Sequence, residues 1–147
     1  MNASNFRVLS ELPQLPPARP DLPRVLIVDD DVSVIDTFSR MLRLEGYDVS
    51  VAPSAEAGLR EVETSHPDAI ILDLRMPLAD GLEFLRRLRA DDGRHRIPVA
   101  IVTGDYSLDE GISRELRQLG AQLYFKPVWL DALLRIVDEL LHGTAGK

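Results

Sequence analysis

The stretch AIILD, residues 69–73, decides the fold of this 147-residue chain. Four apolar residues run without polar alternation into a carboxylate, and this is typical of a central parallel strand that helices cover on both faces. An earlier stretch, VLIVDDD at residues 25–31, has the same form. The carboxyl ends of parallel strands meet at one edge of a sheet, so the acidic residues of both stretches are predicted to share one crevice. Such a cluster of like charges costs free energy unless a divalent cation lies among them.

Outward from these two strands, short apolar runs alternate with stretches of helical period. This rhythm indicates repeated βα units. The first helix should begin after Asp31, which we assign to its N-cap, and Ser107 with Glu110 resembles a capping box for the fourth. Asp80 with Glu83 resembles a capping pair at the start of the third. We therefore predict an α/β fold, a doubly wound five-stranded parallel sheet with five helices, with strands near 25–28, 47–51, 69–72, 97–102 and 122–125.

The distribution of prolines divides the chain into a tail and a domain. Residues 1–23 hold five of the ten prolines and are predicted to form an N-terminal tail, either flexible or docked through its scattered apolar residues. Residues 24–143 form the predicted domain, and 144–147 a C-terminal tail.

Composition limits the partners. Seventeen Lys and Arg against 24 Asp and Glu give a net charge of −7, which repels nucleic acid and acidic membrane surfaces. There is no cysteine, so thiolate sites and disulfides are excluded. The chain has no apolar run of the roughly 18 residues that a membrane span needs, and a cytoplasmic location is expected.

Each predicted strand end near the acidic cluster offers a polar group. Asp30 and Asp73 are natural direct ligands of Mg²⁺, which takes oxygens from carboxylates, waters and phosphate. The hydroxyl of Thr103 and the ammonium of Lys126 can each meet a phosphoryl oxygen, and Gly104 lets backbone approach closely. This set of groups suits phosphoryl transfer to a carboxylate by positioning and charge neutralisation.

In order along the chain these residues form a known pattern, by which residues 24–142 resemble the receiver domain of two-component response regulators. The residues that carry the resemblance are Asp29-Asp30, Asp73-Leu74-Arg75-Met76-Pro77, Gly81, Thr103-Gly104 and Lys126-Pro127. The resemblance implies a flavodoxin-like sheet of strand order 2-1-3-4-5. It also implies a phosphoacceptor that assists its own phosphorylation and dephosphorylation, rather than an enzyme.

By this resemblance Asp73 accepts a phosphoryl group from a histidine kinase or a histidine phosphotransfer protein. Asp30 and Asp73 would bind Mg²⁺ directly, the backbone carbonyl of Arg75 would be a third ligand, and Asp29 would act through water. The donor protein is expected to dock near the first helix and the loop at Pro127.

The same resemblance assigns Thr103 to move toward the phosphate and Lys126 to pair with it, with a cis bond before Pro127. The family pattern also has an aromatic switch residue three positions before the lysine and four after the glycine of a Gly-Ala pair. Here those counts give Leu123 and Tyr124, so both stay switch candidates.

The resulting hypothesis is a phosphorylation-controlled switch that binds a downstream protein or relays the phosphate. Whether it forms a dimer through the face of its fourth and fifth helices stays open. Nothing after Leu141 is expected to form a DNA-binding output domain. One alternative is a receiver-like interaction module that works without phosphorylation. Another, a phosphohydrolase with an aspartate nucleophile, would want a carboxylate two residues after Asp73, where Arg75 stands.

Overall fold

The computed structural model describes residues 22–74, 78–90, 96–104 and 109–143. The predicted C-terminal tail and residues 1–21 lie outside this range. The strands are β1 (Arg24–Asp29), β2 (Asp48–Ala52), β3 (Ala69–Leu74), β4 (Val99–Thr103) and β5 (Ala121–Phe125). The helices are α1 (Val32–Leu44), α2 (Ala55–Ser65), α3 (Leu78–Ala90), α4 (Glu110–Gln118) and α5 (Leu130–His142).

The five strands form one parallel sheet in the order β2-β1-β3-β4-β5, which confirms the predicted architecture. Successive side chains of a strand point to opposite faces, and helices cover both faces here. One apolar layer joins the sheet to α2, α3 and α4, and the other joins it to α1 and α5. Among the described residues, no helix is long and apolar enough to cross a membrane.

The start of each helix shows which predicted caps were right. Asp31 caps α1, accepting hydrogen bonds from the backbone N–H groups of Ser33 and Val34, as predicted. The cap predicted at Asp80 is wrong, because α3 begins at Leu78 and Asp80 lies within its first turn. There its negative charge faces the positive end of the helix dipole. The cap of α4 is Asp109.

That last cap also corrects the predicted capping box. The Asp109 carboxylate accepts from the N–H of Ile112 at 3.1 Å, and Glu110 is the first residue of α4, whereas the capping box would make it the third. Ser107 itself lies outside the described residues.

Two arginines of α3 connect this helix to α4. Arg86 makes a two-pronged ion pair with Glu115, both bonds at 3.0 Å, on a solvated surface. Arg89 is half-buried and donates to the carbonyls of Leu119, at 2.7 Å, and Ile97, at 2.6 Å. Burial lowers the pKa of Arg89. The two backbone contacts fix the end of α4 against the start of β4.

Candidate functional site

The register of β1 against β3 places two carboxylates side by side. Asp29 and Asp73 are direct partners across these neighbouring strands, and both side chains follow the alternation onto the face covered by α1 and α5. They are almost completely buried, with 1% and 4% of their surface exposed. Two buried carboxylates therefore meet at the carboxyl edge of the sheet.

The buried position of Asp29 changes its ionisation. Burial, with the neighbouring charge of Asp73, raises the pKa of Asp29 from 3.8 to about 7, against a lowering by a hydrogen bond from the backbone N–H of Asp31. That bond reaches Asp29 Oδ1 at 2.8 Å. Within the described residues Asp29 Oδ2 has no hydrogen-bond donor. Ionisation of Asp29 in the folded protein therefore costs free energy.

Lys126 provides the positive charge of the site. Its Nζ lies 2.8 Å from Asp73 Oδ1, which is an ion-pair contact. The backbone N–H of Lys126 donates to the carbonyl of Thr103 at 2.9 Å, which fastens the end of β5 to the end of β4. The bond from Lys126 to Pro127 is cis, as the sequence resemblance implied. The side chain of Lys126 also passes Gly104, where an added Cβ would lie 3.7 Å from its Cδ.

The donor set fits a hard divalent cation. Among the described residues, the buried Asp29 Oδ2 accepts no hydrogen bond, and the buried Asp73 Oδ1 has the Lys126 ammonium as its neighbour. Asp30, next in the chain, is exposed at the bend after β1. Within the described ranges no three acidic or histidine side chains would surround an ion by themselves. Mg²⁺ usually takes only one or two carboxylates and completes its shell with waters and phosphate, so this is compatible with it. The predicted carbonyl ligand, Arg75, lies outside the described residues.

A recess of about 490 Å³ opens beside Asp73. Asp73 and Lys126 are its charged members, and its walls come from α1 and from the segment after β5, with Val34, Phe38, Val102, Gly104, Pro127 and Val128 completing the lining. A second recess, of about 600 Å³, lies at the opposite edge of the sheet near Leu22 and Pro98. Only the first adjoins the acidic pair, so we take it as the candidate site.

The two switch candidates lie on opposite faces of the sheet. Thr103, 1% exposed, ends β4 on the face covered by α2 to α4. Leu123 packs into the core on that face, whereas Tyr124 packs on the face of α1 and α5. The Tyr124 hydroxyl donates to Gln122 Oε1 at 2.6 Å and lies 3.4 Å from a Glu139 oxygen. Burial, with the charge of Glu139, raises the pKa of Tyr124.

Sequence reasoning missed two features of the site. It treated Asp29 as the more distant of the acidic pair, whereas Asp29 is the one buried against Asp73. It also missed the contribution of Val34 and Phe38 to the recess. The signal for the first is position, because Asp29 directly follows the apolar run and is the last residue of β1, whereas Asp30 lies beyond the strand. No local signal marks the second.

Comparison with known proteins bears on this site. Residues 25–138 match the model of the response regulator receiver domain. The transcriptional regulatory protein PrrA of Mycobacterium leprae is 39% identical over 121 residues, which are 82% of this chain and 50% of that protein. The response regulator MprA of Mycolicibacterium vanbaalenii is 36% identical over 124 residues, 82% of this chain and 51% of that protein. This chain spans about half the length of these relatives, so the expected absence of an output domain stays a prediction.

Solved structures agree with the sequence matches. A CheY-like receiver domain protein from Methanospirillum hungatei superposes with a TM-score of 0.72 at 31% identity, covering 82% of this chain and 94% of that one. The chemotaxis protein CheY4 of Vibrio cholerae gives a TM-score of 0.71 at 27% identity, covering 82% of this chain and 99% of that one.

Proposed function

Because this chain belongs to the response regulator receiver family, we propose that Asp73 accepts a phosphoryl group from a phosphohistidine. Receiver domains partner with histidine kinases, and a kinase or a histidine phosphotransfer protein is the proposed donor. The observation that supports this most is the buried Asp73 carboxylate, 2.8 Å from the Lys126 ammonium in a recess with otherwise apolar walls. A nucleophile, a positive charge and space for an imidazole ring thus adjoin one another.

In the proposed reaction the bond between the donor nitrogen and phosphorus breaks as a bond from an Asp73 oxygen to phosphorus forms. The leaving imidazole takes up a proton from solvent. Lys126 stabilises the negative charge on the transferring group, since a charge-assisted contact is strongest in a site that excludes water. The apolar walls of the recess, among them Phe38 and Val128, would exclude water from that contact.

Receiver domains generally depend on Mg²⁺, and the residues proposed to hold it are Asp29, Asp30 and Asp73, with the carbonyl of Arg75. When bound, Mg²⁺ neutralises negative charge on the incoming phosphoryl group. Asp29 is buried beside Asp73, so the two negative charges repel each other. A cation at Asp29 Oδ2, which accepts no hydrogen bond from the described residues, would offset that repulsion.

The proposed output is a shift in conformational population that a downstream protein reads, or an onward transfer of the phosphoryl group, in the cytoplasm. Phosphorylation raises the negative charge at Asp73, so Lys126 and Thr103 gain a stronger partner there. In this view the chain is a phosphoacceptor rather than an enzyme.

The test is intact mass after incubation with acetyl phosphate or a phosphorylated kinase and Mg²⁺. We expect one added phosphoryl group, removable by hydroxylamine, which cleaves acyl phosphates. Asp73→Asn should abolish the addition, and Asp138→Asn, an exposed aspartate of α5, should not. Labelling of the Asp73→Asn variant at the parental rate would show that the acceptor is another residue.

One observation favours the alternative of a module that works without phosphorylation. Leu123 stands at the family's aromatic switch position when the count runs back from Lys126. Tyr124, which the count from Gly120 gives, lies on the face of the sheet opposite to Thr103. In that case partner binding would be the same with and without beryllofluoride, which mimics a phosphoryl group on the aspartate. The proposed switch requires that binding differ.

A further inference from the structure

A recess of about 600 Å³ opens at the amino edge of the sheet, opposite the acidic pair. One side of it is the last turn of α5, with Leu141 and His142. Its floor is made by the residues that directly precede three neighbouring strands, Pro23 before β1, Asp68 before β3 and Pro98 before β4. We call it the amino-edge recess. Its lining is largely apolar, and it begins where the described chain begins, at Leu22.

Backbone hydrogen bonds fix the point at which the chain enters the sheet. The carbonyl of Pro23 accepts from the N–H of Asp48 at 2.9 Å. The Asp68 carboxylate accepts from the N–H of Arg24 at 2.8 Å, and the N–H of Asp68 donates to the carbonyl of Arg24 at 2.8 Å. The start of β1 is therefore held from both sides. The residues that precede Leu22 consequently start at the rim of the amino-edge recess.

Three stretches outside the described residues adjoin this recess, and their side chains differ. Residues 91–95, which lead to Arg96 in the lining, are charged or glycine, and residues 144–147, which follow α5, have no large apolar side chain. Residues 1–21 carry four large apolar side chains at a spacing of three, Phe6, Leu9, Leu12 and Leu15. Their two arginines balance one Glu and one Asp, so the net negative charge of the chain does not repel them.

The prolines of this stretch suit it to a shallow apolar surface. Four of them, at positions 13, 16, 17 and 20, fix φ and favour the polyproline II conformation, which has three residues per turn. In that conformation Leu12 and Leu15 project to the same side. The step from Leu15 to Leu22 spans at most about 25 Å, so both leucines stay within reach of the recess. Prolines also lower the conformational entropy that docking would remove.

We propose that residues 1–21 dock in the amino-edge recess of their own chain, with Leu12 and Leu15 against its apolar lining. The driving force is removal of apolar surface from water on both partners. Attachment at Leu22 gives the segment an effective concentration on the order of 1 mM at the recess, so that even a weak contact covers it. The recess lies at the edge of the sheet opposite Asp73, so the inference does not depend on the proposed function.

The test measures how fast a thiol in the recess reacts with a maleimide. The chain has no cysteine, so His142→Cys introduces a single thiol into the lining. Its rate is compared in the 147-residue chain with the native segment and in a four-serine variant, in which all four apolar residues of the stripe are replaced by Ser. We expect the native segment to slow the reaction about tenfold, the ratio of an effective concentration of about 1 mM to a dissociation constant of about 0.1 mM.

Two matched controls test whether the protection is specific. Asn5→Ser with Gln14→Ser changes polar neighbours within the same segment and should keep the low rate at position 142. Val32→Cys places the thiol at the start of α1, at the carboxyl edge, where Val32 is 76% exposed, and it should react equally with either segment. A second measurement needs no thiol. In ¹H–¹⁵N spectra of the cysteine-free chains, the amide signals of Leu141 and Val99 should differ between the native segment and the four-serine variant.

The outcomes distinguish the possible occupants of the recess. Slower reaction at position 142 with the native segment, and no difference at position 32, supports the inference. Equal rates at position 142 with unchanged amide signals overturn it. Equal changes at both positions overturn it too, because they would indicate a global change of the fold. Docking within one chain does not depend on protein concentration, so protection that disappears on dilution would assign the recess to the segment of a second copy and overturn the inference.

Discussion

Replacing Asp29 by Asn should stabilise the metal-free protein. Asp29 ionises beside the buried Asp73, and burial with this neighbour raises its pKa from 3.8 to about 7. An asparagine keeps the oxygen that accepts from the Asp31 N–H, and it replaces the other oxygen by an amide that can donate to Asp73. The variant therefore removes a repulsion and keeps the local hydrogen bond.

The magnitude follows from linkage between proton binding and folding. The folded state binds the Asp29 proton more tightly than the unfolded state does, so its contribution to stability falls as pH rises from about 4 to about 7. The difference between the pKa values of 3.8 and about 7 corresponds to a loss of about 4 kcal/mol in the free energy of unfolding above pH 7. At pH 5 this loss of stability is between about 1 and 2 kcal/mol, because the folded protein keeps the Asp29 proton there while the unfolded chain has mostly released it.

The assay is urea unfolding in EDTA at pH 8 and at pH 5. We expect Asp29→Asn to raise the free energy of unfolding by roughly 2–4 kcal/mol at pH 8 and by about 1 kcal/mol at pH 5. Asp138→Asn, on the exposed surface of α5, should stay within about 0.5 kcal/mol of the parent at both. Adding Mg²⁺ at pH 8 should stabilise the parent more than the variant and so narrow the difference.

Two results would refute this reasoning. If Asp29→Asn destabilises the metal-free protein at pH 8, the carboxylate is stabilised in the fold and the repulsion with Asp73 is not the dominant effect. If the variant gains the same stability at pH 5 and pH 8, its benefit does not come from ionisation of Asp29.

Three further predictions concern other contacts. Arg89→Ala should cost about 2–4 kcal/mol in urea unfolding, because two partly buried carbonyls lose a charged donor. Arg86→Ala, which breaks a solvated ion pair, should cost under about 1 kcal/mol, and equal costs for the two variants would contradict this. Gly58→Ala should destabilise by about 1–3 kcal/mol despite the better helix propensity of alanine, since its Cβ would lie 2.7 Å from a methyl of Val28, and a higher melting temperature would show that Val28 gives way. Lys126→Ala should slow phosphorylation by acetyl phosphate by about 10- to 100-fold, measured by intact mass over time, since one charge-assisted contact is lost; an unchanged rate would remove Lys126 from the reaction.

The elements of the fold were predictable because their signals are local. Residues 69–72 are apolar without interruption, and in the structure Ala69, Ile70, Ile71 and Leu72 are fully buried in the strand that lies between two others. The position of Asp73 at its end follows from the same stretch. Helix starts were less predictable. Asp80 and Asp109 are both acidic residues near a helix start, but Asp109 directly precedes α4, whereas Asp80 lies inside the first turn of α3.

The composition of the site could also be predicted, but not the division of roles within it. The acidic residues, Thr103 and Lys126 follow strand ends, and a parallel sheet brings strand ends to one edge. Which carboxylate is buried against Asp73 depends on the register of β1 against β3, which pairs it with Asp29. Register depends on both strands, so it cannot be inferred from the sequence of one of them.

By itself, the sequence determined that this protein has a parallel sheet with carboxylates, a hydroxyl and an ammonium at its carboxyl edge, because apolar runs and the residues that end them are read along one segment. The tertiary structure decided which face each residue before Lys126 occupies. Side chains alternate with a period of two, so a shift of one residue between β5 and β4 would exchange the faces of Tyr124 and Phe125. That pairing puts Tyr124 against α5 and leaves Phe125 beside Thr103.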